Sequence, residues 1–281
     1  VTICIAARAD NNCFVTVSDQ RLSYGDTIAT SDRAASKVMS IATHWHVLYS
    51  GDVGLAVQII DDARRRLYSA KDGITPEIAR AAVLGAYRHF QRERAFGMKN
   101  PMGYESLQEM REKAPKDMGQ ELFEKLYADL ENFDIGVDLI VCGFEDLPFK
   151  VEDWQKFWHI FSVTSPGVAH DHSTDGFWAI GSGWEPALAS LTANRGHWSP
   201  SLDSLVYMLC EAKFCAESAF GVGRATTVRV FGPNGKSVTL NDASVNRLRA
   251  IWEEKMKNVV PDDVYFALKD QFSSVDPFSD L

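Results

Sequence analysis

The chain has 281 residues, 46% of them hydrophobic and 24% charged, with a formal net charge of −9. That length and balance suit one α/β domain carrying an insertion as well as two domains, with enough chain for a large buried core. The acidic sign argues against a general nucleic-acid binder, which needs a cationic face, and no apolar run reaches the roughly 18–20 residues of a membrane-spanning helix.

Residues 2–8 and 13–18 are apolar, β-branched runs on either side of the turn signal Asp10-Asn11-Asn12, and so form an antiparallel hairpin. Gly25-Asp26 marks a further turn, and residues 36–41 and 45–50 make a second hairpin around Thr43-His44. From Val53 the period changes: Val53, Ala56, Val57, Ile60 and Ala63 follow helical spacing, which predicts a helix to Tyr68. Thr75 caps a second helix with Pro76 at its first position, running to Phe96. Residues 97–134 are rich in charge and methionine, with helical spacing between Met118 and Leu130, and read as a mostly helical, partly exposed insertion. Strands follow at 137–143, 157–163 and 176–180, and helices at 187–193 and 202–220. Residues 226–231 and 236–240 flank the turn Gly232-Pro233-Asn234-Gly235, Asp242 caps a last helix to Met256, and a polar tail with Pro277 is expected to be loose from about 258. Two sheets covered by helices on both outer faces, an α+β four-layer αββα sandwich, satisfy this order; element order alone leaves other layerings open.

The five cysteines (Cys4, Cys13, Cys142, Cys210 and Cys215) are odd in number and contain no CxxC pair, which reads as reduced thiols in a cytoplasm. Cys4 and Cys13 lie on expected buried strands and suit core residues better than nucleophiles. His170-x-His172 with Asp171 and Asp175 fits no metal spacing and reads as a polar loop, and His44-Trp45-His46 reads as part of a hairpin. The Gly221-Val222-Gly223 stretch is too short for a phosphate loop. Neither a metal nor a cofactor is expected.

Five segments stand out in order: Ser18-Asp19-Gln20-Arg21-Leu22-Ser23, Ser36-Lys37-Val38, Tyr49-Ser50-Gly51-Asp52, the apolar run at 137–144, and Ala179-Ile180-Gly181-Ser182-Gly183. Together they resemble the Asp-x-Arg-x-Ser, Lys-Val/Ile, Ser/Ala-Gly, central-strand and Gly-Ser-Gly segments of the proteasome β-type family, N-terminal-nucleophile hydrolases, in a bacterial-type form. The resemblance covers about 2–96 and 135–250. A threonine hydroxyl is a weak nucleophile and needs a base, and a free α-amino group with a pKa near 8 can serve. By this resemblance Thr2 is the nucleophile, Asp19 and Lys37 are the polar pair beside it, Gly51 supplies an oxyanion N–H, and Ser182 sits near the α-amino group. Tyr49 and Val53 line the primary specificity pocket, and Ser23 binds substrate backbone. Glu217, in Glu-Ser-Ala-Phe-Gly, is the nearest match to a late acidic partner, and Phe220 stands where a serine is usual.

Val1 precedes Thr2. Aligning Thr2 with the family's first threonine leaves one extra residue in the 10–12 turn, whereas aligning Val1 there requires two. Self-cleavage is then expected to remove Val1; with Val1 attached, Thr2 has no free amine. Plainer roles stay open: a structural Asp19–Lys37 ion pair, purely conformational glycines at 51 and 181–183, and a solvated Glu217 at a helix end. The resemblance implies a threonine-type peptidase in a ring homo-oligomer, with polypeptide substrates and an ATP-dependent unfoldase as partner. The alternatives are a catalytically inactive scaffold and an amidase acting on a small molecule.

Overall fold

Side-chain alternation with a period of two organises both sheets. The computed structural model of the chain describes residues 2–9, 13–23, 30–31, 36–68, 70, 73–100, 102–145, 157–194 and 201–256. The elements are, in order, β1 (Cys4–Arg8), β2 (Phe14–Asp19), β3 (Leu22–Ser23), β4 (Thr30–Ser31), β5 (Val38–Ala42), β6 (Trp45–Gly51), α1 (Val53–Tyr68), α2 (Pro76–Met98), α3 (Leu107–Met118) and α4 (Gln120–Glu131). They continue with β7 (Val137–Phe144), β8 (Trp158–Thr164), β9 (Val168–Asp171), β10 (Phe177–Ile180), α5 (Trp184–Ala193), α6 (Leu202–Ala216), β11 (Thr226–Phe231), β12 (Ser237–Thr239) and α7 (Asp242–Met256). One antiparallel sheet has the order β10-β1-β2-β11-β12 and the other β5-β6-β7-β8-β9, while β3 and β4 pair apart from both.

Odd positions of the first sheet (Ile3, Ile5, Ala7, Val15, Val17) pack under α5 and α6. Odd positions of the second (Trp45, Val47, Tyr49, Leu139, Val141, Phe161) pack under α1 and α2. Even positions from both sheets (Cys4, Ala6, Phe14, Leu48, Ile140, Cys142, Ile160, Ile180) meet between them. The result is a four-layer αββα sandwich.

Thr75 caps α2, its hydroxyl accepting from Ile78 N at 3.4 Å, and that helix runs two residues past the expected end. α3 and α4 form a helical hairpin joined at Gly119, and they pack on Ala95 of α2 in an apolar cluster with Tyr104, Met110, Ala114 and Leu130. Three expectations need correction. Residues 168–171 form the edge strand β9 rather than a polar loop; three of its four residues are exposed and none is buried, so no alternation shows. α6 stops at Ala216, because Glu217, Ser218 and Ala219 bond back to Phe214, Cys215 and Ala216, the three-residue spacing of a tightened terminal turn. The last helix is capped by Asn241, whose Oδ1 accepts from Ser244 N at 2.8 Å, and Asp242 is its first helical residue. The expected turns at 10–12 and 25–26, and the tail from 258, lie outside the described residues.

Two histidines are enclosed near the inter-sheet layer. His46 lies 4.1 Å from the Phe231 ring and shares a hydrogen bond with Ser40 Oγ, and His172 stacks on Trp178 at 3.7 Å with its Nε2 against Ser162 Oγ. Burial pushes both pKa values down to about 4; Arg229 and His44 add to the effect at His46, whereas Asp175 opposes it at His172. Each ring is neutral in the fold and protonates near 6.5 when unfolded, so stability present above 6.5 is lost as pH falls toward 4. The loss is expected to be on the order of 2 kcal/mol per histidine. Urea titrations between pH 7 and 4 check it: the His46→Gln/His172→Gln double variant should have a flatter slope than the parent.

Candidate active site

At one end of the sandwich the inter-sheet layer turns polar. Thr2 enters β1 there, Asp19 ends β2, Lys37 precedes β5, Ser50 and Gly51 end β6, and Asp138 opens β7. The hairpin pairing that puts Cys4 opposite Ser18 brings Thr2 to Asp19, and the cross-strand pair Ser50–Asp138 faces the same layer.

Asp19 is fully buried and Lys37 nearly so. Lys37 Nζ lies 2.7 Å from Asp19 Oδ1 and also donates to Thr2 Oγ1, while the Thr2 hydroxyl donates to Asp19 Oδ1. Ile3 N donates to the same Oδ1 at 3.2 Å, and Gly223 N donates to Oδ2 at 3.0 Å. A buried ion pair is tolerated only with such additional hydrogen bonds. A hydroxyl has one proton and two lone pairs. With Asp19 taking the proton and Lys37 one lone pair, the second lone pair of Thr2 is left for attack on an electrophile.

The turn after β10 wraps the Thr2 backbone. Ser182 Oγ lies 3.3 Å from Thr2 O and 3.4 Å from Phe220 O, with one proton to donate to either, and Gly183 N donates to Thr2 O at 3.4 Å. Gly181 has φ +92°, and a Cβ there would lie 2.4 Å from Thr2 O. Gly51, at φ +91°, is tighter still: a Cβ would lie 1.8 Å from Gly136 O. A cavity of about 400 Å³ opens beside these residues, its walls including Thr2, Gly51, Asp134, Asp138, Ser182 and Trp184. Cys4, next to the site, has its thiol pKa pushed up to about 12 by burial and donates to Tyr49 O, which makes it a core residue and not a nucleophile.

The remaining expected residues fall in three places. Tyr49 and Val53 pack into the layer under α1, with Tyr49 Oη donating to Ser36 O, and neither is among the described residues lining the cavity. Ser23 lies on β3 opposite Thr30, and Val1 lies outside the described residues. Glu217 neither touches Thr2 nor stands in solvent: it is 13% exposed, paired with Lys213 and with Arg249. Asp138 and Trp184 carry no site signal in the sequence, and Gly223 reads there only as part of a short glycine stretch. Gly223 lies 204 residues from the carboxylate it holds. Among the described residues, no group of three or more His, Cys, Asp or Glu side chains is arranged to hold a metal ion, and no helix is long and apolar enough to cross a membrane.

Residues 2–107, the stretch that carries Thr2, Asp19, Lys37 and Gly51, match the proteasome subunit family. Among solved structures, eukaryotic HslV from Trypanosoma brucei matches with a TM-score of 0.53 at 15% identity, over 82% of this chain and 99% of that one. The chain has the αββα fold of the N-terminal-nucleophile hydrolases. No curated protein matches the sequence. In that fold, a threonine at the head of the first strand, engaged by a buried Asp–Lys pair, is the arrangement of a threonine-nucleophile site.

Gly51→Ala forces a side chain into Gly136 O at a positive φ and is expected to destabilise the fold on the order of 3 kcal/mol, measured by chemical unfolding. Asp138 has its pKa raised, chiefly by burial and further by Asp134, against the opposing hydrogen bond from Ser50. Its charge therefore destabilises the fold above the ordinary carboxylate range, and the penalty vanishes as pH falls below that range. Asp138→Asn should raise the melting temperature at pH 7, with the gain shrinking toward pH 3.

Proposed function

We propose that this chain is a threonine-type peptidase subunit. The observation that carries the reading is the Thr2 hydroxyl held between the buried Asp19 and Lys37 at the wall of a cavity. In this reading, removal of Val1 frees the α-amine of Thr2. That amine, directly or through water, takes the hydroxyl proton as Oγ1 attacks a peptide carbonyl. Lys37 keeps the local potential positive while negative charge builds on the carbonyl oxygen, and the Gly51 N–H supplies the oxyanion bond. The tetrahedral intermediate collapses to an ester on Thr2 as the α-ammonium returns that proton to the departing nitrogen, which releases the amine product and restores the free α-amine. Water then attacks the ester, with the α-amine again as base, and Thr2 is regenerated. Ser182 would hold the Thr2 backbone in register throughout.

The same reading makes the subunit one of a closed ring in the cytoplasm, with contacts through α1 and α2. Polypeptide would be admitted by an ATP-dependent unfoldase. A peptidase of broad specificity is safe only where access to it is restricted, and a ring closes through heterologous interfaces.

A second reading, an inactive scaffold, is favoured by Phe220. It is 92% exposed, its carbonyl lies 3.4 Å from Ser182 Oγ, and it brings no hydroxyl of its own to the site.

Intact mass, N-terminal sequencing, light scattering and turnover of fluorogenic peptides decide between them. The expected result is a ring-sized particle whose chains begin at Thr2 and turn over peptide, with Thr2→Ala reduced to background. Chains beginning at Thr2 in a ring without turnover would instead establish the scaffold, and a monomer that hydrolyses only small amides would establish an amidase.

A further inference from the structure

Lys213 is a fully buried lysine that the proposed chemistry does not use. It lies in the last turn of α6, among Leu209, Cys210, Ala212, Phe214 and Ala216 of the apolar layer. A lysine in such a place normally loses its charge or is replaced by an apolar residue. Here its three N–H donors each have a partner: Glu217 Oε1, Gly223 O at 2.8 Å and Arg224 O at 2.8 Å.

Glu217 is in turn held by the Arg249 fork at 2.8 and 2.5 Å, and Arg249 Nη2 reaches Arg224 O at 3.0 Å. The Arg249 guanidinium lies 4.1 Å over the Phe214 ring. The Gly223–Arg224 backbone is therefore fixed at both carbonyls from one side. Its amide face meets the active site: Gly223 N donates to Asp19 Oδ2, and a Cβ at Gly223 would lie 2.8 Å from Arg21 Cβ.

We propose that Lys213 is a positioning residue that acts through the Gly223 amide to orient Asp19, so that Oδ1 is presented to Thr2 and Lys37. The inference rests on the peptidase reading for its effect on rate, but not for its effect on Asp19. It also reassigns Glu217, which holds Lys213 charged from behind and has no contact with Thr2. The charged and titratable groups around Lys213 are Glu217, Arg249, Asp19 and Cys210. Burial presses its pKa down to about 8 against the pull of Glu217, so its third donor is lost in mildly alkaline solution.

The test is Lys213→Met. Glu217 keeps its Arg249 fork, so no buried charge is orphaned and the fold is expected to persist. Two readouts are made on the full-length assembly: kcat and KM on the best fluorogenic peptide, and amide hydrogen exchange of the 219–225 segment by mass spectrometry. The expected result is a kcat lower by about 10- to 100-fold with KM little changed, as for the loss of an outer-shell partner elsewhere, and faster exchange in that segment. Unchanged exchange overturns the proposal, as does unchanged kcat in an active protein. If the parent turns over no peptide, the peptidase reading fails and exchange alone decides: acceleration in 219–225 supports the positioning role and its absence ends it. If Lys213→Met does not fold, Gly223→Ala takes its place. It leaves the Lys213–Glu217–Arg249 cluster intact and crowds the Asp19 side, and the same loss of kcat at unchanged KM, or the same faster exchange, is expected; neither appearing overturns the proposal.

Discussion

The carboxylate of Asp19 is the contact on which this end of the molecule depends. It has no solvent exposure, and it receives Thr2, Ile3 and Lys37 on one oxygen and Gly223 on the other. These partners come from the first strand, the approach to β5 and the turn before β11, so one acid ties together segments more than two hundred residues apart. A buried carboxylate without these donors would protonate or unfold its surroundings. The Thr2 hydroxyl meets partners within 35 residues of it, but the carboxylate that receives it is held from the far end of the described chain.

The sandwich explains why this happens at an end and not in the middle. Along the inter-sheet layer the even positions run from apolar (Ala6, Phe14, Leu48, Ile140, Cys142) to polar (Thr2, Ser18, Ser50, Asp138). The register that packs the first set delivers the second, because a one-residue slip in a strand would turn every side chain to the other face. Core packing thus delivers this part of the site, while Asp19 and Lys37, at odd positions, join it from the end of β2 and the approach to β5.

Much of this was legible in the sequence where the signal is local. Both hairpins, α1 and the Thr75 cap follow from alternation, helical spacing and a side-chain oxygen in front of a proline, and Asp19 and Lys37 lie within 35 residues of Thr2. What escaped is of two kinds. Edge strand β9 carries His170 and Asp171 with little burial, so there is no inward face to read. Lys213 and Gly223 act by long-range contact. A lysine on a helix reads as solvated, and a glycine pair reads as a loop, until the chain closes over them. Glu217 was singled out for its motif, and it belongs to the site through Lys213 and Gly223 instead of by touching Thr2.

The charges at this end divide into two groups. Asp19, Lys37, Lys213, Glu217 and Arg249 are enclosed and mutually paired, so their burial is compensated within the chain. Asp138 is only partly compensated: a serine hydroxyl donates to it, a second carboxylate lies near it, and no cation stands against it among the described residues. A fold that tolerates a partly compensated acid at the cavity wall, while pairing Asp19 and Glu217 behind it, separates two tasks. The enclosed set keeps one geometry regardless of what occupies the cavity. The wall carries an electrostatic penalty that is relieved when Asp138 is protonated or meets a cation. The polar end thus combines a paired, enclosed set of charges behind Thr2 with a partly compensated carboxylate at the cavity wall, the kind of perturbed group that marks a candidate functional site.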